Sequence, residues 1–145
     1  MYEKLAKRAL ERGVVIVAAA GNESNRPPDI MPVGRPANCP SILAVGALTK
    51  GMMSAFFSNG GINGQGGEVN IAAPGWQVHS AAPGGGYQPM SGTSMATPHV
   101  AGVIALLAQA NPNATAHDLV AALKSGAFPL MLPIRDVGAG LLQAP

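Results

Sequence analysis

Residues 14–20 read Val-Val-Ile-Val-Ala-Ala-Ala, an apolar run without a polar interruption, and Gly21 stands directly behind them. A strand that faces water on one side alternates apolar and polar side chains, whereas a strand covered on both faces does not. The run therefore predicts a buried strand of a parallel sheet. Parallel strands need long crossover connections, usually helical, and these connections supply the cover. The flanking sequence agrees. Upstream, YEKLAKRALER (2–12) sets Leu5, Ala6, Ala9 and Leu10 on one helical face, with Gly13 at the position of a helix C-terminus. Downstream, 41–48 and 68–75 predict two further strands, FFSNGGINGQGG (56–67) a loop between them, and QVHSAAPGGGYQPM (77–90) two short strands around a glycine turn. A helix should run from 94 to about 110, apolar around most of its circumference and so buried. A last helix should start at Thr115, with Asp118 placed to close a capping box and Gly126 to end it. The expected class is α/β, one domain over 1–145, without repeat or linker.

Composition narrows the function. Hydrophobic residues make up 48% of the chain and charged residues 11%, so solvated helical bundles are disfavoured. The nine Lys and Arg are scattered, and Lys4, Lys7 and Arg8 share a segment with Glu3 and Glu11, which argues against nucleic acid as a partner. Cys39 is alone, so no internal disulfide forms, and no Cys/His cluster has zinc spacing. No apolar run approaches the ~18 residues of a membrane helix. Basic residues followed by 14–20 imitate a secretory leader, but Glu3 and Glu11 break the basic region, and the strand is the better reading. The compartment stays open.

Chemistry concentrates in MSGTSMATPHVAG (90–102). A nucleophilic serine needs an exposed hydroxyl, donors for a developing oxyanion, and a base. Gly92 permits close backbone approach, and Ser94 falls at a helix N-terminus, where free N–H groups and the helix dipole favour negative charge. The same residues fit a plainer role, since Thr93 or Ser94 would also serve as a helix cap.

The longer string GTSMATPHVAG resembles the serine motif of the subtilisin-like serine proteases (subtilases). GVVIVAAAGNES resembles the family's oxyanion segment, and PSILAVGAL, FSN, NIAAPG and GAGLLQA follow in the family's order. The resemblance implies a partial subtilisin-like fold: a doubly wound, mostly parallel sheet flanked by helices, here the C-terminal half of the peptidase domain. It implies that Ser94 is the nucleophile, that the Ser94 N–H and the Asn22 amide bind the oxyanion, and that Gly21, with the backbone around Ala19 and Ala20, lines the primary specificity pocket. Met95 matches a methionine beside the nucleophile, and Arg35–Pro36 a bond that tends to be cis. Calcium is possible by resemblance, with the carbonyls of 36–39 as ligands, and so is secretion.

The family's Asp and His motifs, D-[ST]-G and H-G-T-H-V-A-G, do not occur in this chain. His99, five residues beyond Ser94, is rotated about 140° around the helix and expected to point away from it. His79 and His117 have no expected link to the serine. An α/β-hydrolase site is excluded, because Ala96 stands where G-x-S-x-G needs its last glycine and no acid lies between Ser94 and His117. The leading expectation is a serine endopeptidase on peptide or protein substrates that takes Asp and His from another segment and is nearly inert alone. The competing one is a catalytically incomplete binding or assembly module working through an open sheet edge. A third is a mere fragment. Because a half-sheet leaves an open hydrophobic edge, the isolated chain is expected to self-associate, to bind a complementary half, or to be part of a longer product.

Overall fold

The computed structural model describes residues 1–64 and 66–145; Gln65, part of the loop expected between the second and third strands, lies outside the described residues. The apolar run at 14–20 forms strand β1, Val17–Ala19. It pairs in parallel with β2, Leu43–Leu48, with Val17 opposite Leu43 and Ala19 opposite Val45. β2 pairs in parallel with β3, Ile71–Pro74, so the sheet order is β1-β2-β3. β2 is buried at every position because it has a strand on each side and cover on both faces. β1 is shorter than its apolar run and only half-buried, which corrects the fully buried strand expected from sequence. Its outer edge has no strand beside it among the described residues, and Val14 is 54% exposed.

Alternation along β2 divides the core. Val45 and Ala47, with Ile71 and Ala73 of β3, pack against Ala96, Val100, Val103 and Ile104 of the long helix α2, Thr93–Ala110, and against Leu119 and Leu123 of α3, Ala116–Ser125. Ala44 faces the other way and meets Ala20, Val33, Ala37 and Val69. Leu48 and Ala72 meet Val137 of α4, the short helix Ile134–Val137 that the sequence reading did not anticipate. α2 and α3 therefore cover one face of the sheet, while loops and the one-turn α4 cover the other. α2 is buried on its sheet side alone: Ala101, Gly102, Ala105 and Leu106 are exposed, against the expectation of burial all round. The first helix, α1 (Tyr2–Glu11), buries only Ala6, and Leu5 of its expected apolar face is exposed.

Three features fix the loops that carry the site. The hairpin β4 (Val78–Ala81) and β5 (Tyr87–Met90) forms around Gly84, Gly85 and Gly86, all at positive φ, and delivers the chain to α2. Arg26 donates from Nη2 to Asp136 at 2.8 Å and from Nε to the Ser58 carbonyl at 2.8 Å, tying the segment after β1 to α4 through a mostly buried ion pair. Arg35–Pro36 is cis, as the resemblance implies, and Pro27–Pro28 is cis as well.

Two carboxylates at helix starts are held by hydrogen bonds, Glu3 to the loop before β2 and Asp118 to the cap of its own helix. The Ser41 hydroxyl and N–H donate to Glu3 at 2.6 and 3.0 Å, holding its carboxyl below the ordinary 4.5. The Thr115 hydroxyl and N–H, completing the expected capping box of α3, hold Asp118 below 3.8. Both folded-state values are lowered, so this stabilisation is full above the unfolded values and is lost as pH falls through the folded ones. Melting temperature should fall below about pH 4.5. The pair Glu3→Gln and Asp118→Asn should melt lower at about pH 6 and lose less stability on acidification. Parallel curves for the two proteins would contradict this.

Candidate active site

β1 ends at Ala19, and the chain leaves the sheet through Ala20 and Gly21. Gly21 has φ +116, a conformation open to glycine, and a Cβ there would overlap the Asn59 amide nitrogen and lie 2.6 Å from a Glu23 carboxylate oxygen. Asn22 follows, exposed at the C-terminal ends of the strands. From the other direction the hairpin brings in Gly92, whose N–H donates to the Gly75 carbonyl at 2.8 Å, then Thr93 and Ser94 at the start of α2.

Thr93 joins the two segments. It is fully buried. Its N–H and its hydroxyl both donate to Asn22 Oδ1, each at 2.8 Å, and its Oγ1 accepts from the Gly21 N–H at 3.2 Å. A backbone N–H can only donate, so the atom facing it must be the Asn22 carbonyl oxygen and the amide nitrogen must point away. That nitrogen lies beside Gly92, 3.5 Å from where a Cβ would stand. Among the described residues, neither Asn22 Nδ2 nor the Ser94 N–H has an acceptor. Ser94 is exposed, and the first turn of α2 holds no acidic residue to oppose a negative charge. An exposed serine at a helix N-terminus, near an amide whose nitrogen has no acceptor among the described residues, has the parts that an oxyanion site uses.

The hydroxyl opens onto a cavity of about 410 Å³ whose walls include His79, Gln88, Met90, Met95, Pro98 and His99. Both histidines line this open cavity together with Ser94, and His79 is exposed on β4. Neither is bonded to Ser94 among the described residues. His99 Nδ1 lies 2.9 Å from the Met95 carbonyl of its own helix, and His79 stacks on Tyr87 with ring centroids 5.6 Å apart. His117 is exposed on α3.

Of the residues expected around the specificity pocket, Ala19 and Gly21 are half-buried. Ala20 is fully buried, its N–H donating to the Val45 carbonyl at 3.0 Å and its carbonyl accepting from the Gly34 N–H at 2.9 Å. The loop 36–39 does not by itself form a calcium cage. Calcium takes six to eight oxygens, the Pro36 carbonyl already accepts the Cys39 N–H, and no group of three or more His, Cys, Asp or Glu that could hold a metal occurs among the described residues. Sequence reasoning missed Thr93 as the anchor of Asn22, because a threonine before a helix reads first as a cap.

Known proteins resemble this chain in sequence and in fold. A model of the subtilase family matches residues 1–140. The chain is 44% identical over 108 residues to subtilisin from Bacillus pumilus, a match covering 74% of this chain and 37% of that protein. It is equally similar to subtilisin E from Bacillus subtilis (strain 168), covering 27% of its length. Among solved structures, Sphericase superposes with a TM-score of 0.84 at 32% identity, over 99% of this chain and 52% of that one. The chain thus matches 27–37% of the length of these curated relatives and about half of the solved structure.

Thr93→Val keeps the shape but removes a donor to Asn22 and the acceptor of the Gly21 N–H inside the core. Denaturant unfolding should show a loss of about 1–3 kcal/mol. A loss below about 0.3 kcal/mol would show that the contact does not carry the segment.

Proposed function

Because the chain belongs to the subtilase family of serine proteases, we propose that it carries the nucleophile and the oxyanion donors of a serine endopeptidase acting on peptide or protein substrates. Ser94 Oγ forms a bond to the scissile carbonyl carbon while its proton passes to a base. The carbonyl oxygen takes the negative charge and accepts from the Ser94 N–H and Asn22 Nδ2. Collapse of this intermediate breaks the C–N bond, and the base returns the proton to the leaving amine. Water then attacks the acyl group on Ser94 by the same route. Ala19 and Gly21 border the acyl part of the substrate. The observation that carries this reading is the pair of unpartnered donors beside an exposed Ser94, held by Thr93.

The base and its orienting carboxylate come from outside these residues, from another segment of a longer chain or from a partner. His79 and His99 have no carboxylate partner among the described residues, and His99 is engaged with its own helix. The same complement covers the open edge of β1 and the exposed apolar face of α2 at Ala101, Gly102, Ala105 and Leu106, which otherwise favour self-association. Export fits the family resemblance.

The test combines this chain with an Asp- and His-bearing segment of a subtilase and follows hydrolysis of a chromogenic peptide. Hydrolysis should appear only in the mixture and vanish in Ser94→Ala. Asn22→Ala should lower kcat by about 10²–10³ with KM little changed, the size measured for the corresponding amide in a subtilisin. Association of the two chains without hydrolysis, unchanged by Ser94→Ala, would favour a binding module.

A further inference from the structure

Asn59 lies in FSNGG, after β2, and is 2% exposed. No acting group touches it, yet its hydrogen bonds converge on the residues either side of Asn22. Its N–H donates to the Gly21 carbonyl at 3.1 Å. Its Oδ1 accepts from the Glu23 N–H, the Ser24 N–H and the Ser24 hydroxyl, each at 3.0 Å. Its Nδ2 donates to a Glu23 carboxylate oxygen at 2.6 Å and to the Pro32 carbonyl at 3.0 Å. Both donor hydrogens and the acceptor of this buried amide are in use, so no group here can turn without leaving a buried partner unpaired. The Ser24 hydroxyl also accepts from the Met31 N–H at 2.9 Å, which draws the far end of the loop into the same junction.

Steric contact adds to the hydrogen bonds. The Asn59 amide fills the space that a side chain at Gly21 would occupy. Gly21, Glu23 and Ser24 are thus held from one side by Asn59, while Thr93 holds Gly21 and Asn22 from the other. Asn22 is the one residue of this stretch whose polar side chain keeps free hydrogens facing solvent.

We propose that Asn59 is a positioning residue for the Asn22 amide, fixing the backbone on both sides of it so that Oδ1 meets Thr93 and Nδ2 is presented beside Ser94. The catalytic meaning of this position rests on the reading of Asn22 as an oxyanion donor, but the geometry can be measured without turnover. The Thr93 N–H has Asn22 Oδ1 as its acceptor, so its hydrogen exchange reports whether Asn22 is held.

Asn59→Asp keeps the acceptor for Glu23 and Ser24 and replaces the donor by an oxygen facing the Glu23 carboxylate and the Pro32 carbonyl. Native-state exchange of the 145-residue chain should show the Thr93 amide exchanging about 10- to 100-fold faster relative to the amides of β2. Adding Glu23→Gln returns a donor to the pair and should restore most of the protection. Unchanged Thr93 exchange, or one common acceleration of Thr93 and β2, would overturn the proposal, the latter marking Asn59 as structural only. Should the variant fail to fold, the unsubstituted chain decides. In sub-denaturing denaturant, the amides of Ser24, Asn59 and Thr93 should open with one free energy, and separate openings would overturn the proposal. Failure of hydrolysis in the complemented enzyme with the Thr93 response intact would reject the protease reading and leave this inference standing.

Discussion

Thr93 donates twice to Asn22 Oδ1, and the rest of the site depends on that contact. Asn22 stands at the end of the edge strand and Ser94 at the start of the longest helix, 72 positions further along the chain. Without the contact, the amide of an exposed asparagine would sample several rotamers and offer either end to a ligand. With it, the oxygen is committed and the nitrogen has one direction left. On the proposed reading of Asn22 as an oxyanion donor, such a site works because its donors are already oriented when charge develops, and the Thr93 contact sets that orientation within the fold.

The sheet supports this contact. β2 is buried throughout and fixes β1 on one side and β3 on the other. α2 lies over the strands through Val100, Val103 and Ile104, and its N-terminus therefore reaches the end of the sheet where β1 releases Asn22. The loop between β1 and β2 would otherwise be long and loose. It is pinned instead by polar groups that are themselves buried: Asn59 against Gly21, Glu23 and Ser24, and Asp136 against Arg26. Gly60 shows how tight that second junction is, since a Cβ there would stand 2.9 Å from both Arg26 Nη2 and Asp136 Oδ1. Removing one member of such a buried charged pair costs more than the pair contributes, because the other is left unpaired in the interior.

Features set by neighbours in sequence were legible. The apolar runs mark the strands, the Thr115–Asp118 spacing marks the capping box, and the glycines at 84–86 mark the hairpin. Ser94 and Asn22 were singled out through their motifs, and the structure brings their two segments together through Thr93. What was not legible depends on residues far apart in the chain. The burial of β1 and α2 depends on what lies beside them, and their composition alone suggests more cover than the described residues supply. The helical angle gives the direction of His99 along its own helix, but not that Ser94 and His99 share an open cavity with His79 and Met90 of the hairpin. The roles of Thr93 and Asn59 rest on partners 71 and 36 positions away, which no local pattern encodes.

The division of labour proposed for this chain, with nucleophile and oxyanion donors inside it and the base outside, is tested most directly by intact mass after exposure to a fluorophosphonate probe. Phosphonylation needs an activated serine and an oriented oxyanion site but no substrate recognition. The chain alone should stay unlabelled over hours and become labelled once the Asp- and His-bearing segment is added, with Ser94→Ala inert throughout. Rapid labelling of Ser94 in the chain alone would contradict this division and point to His79 or His99, across the shared cavity, as a base.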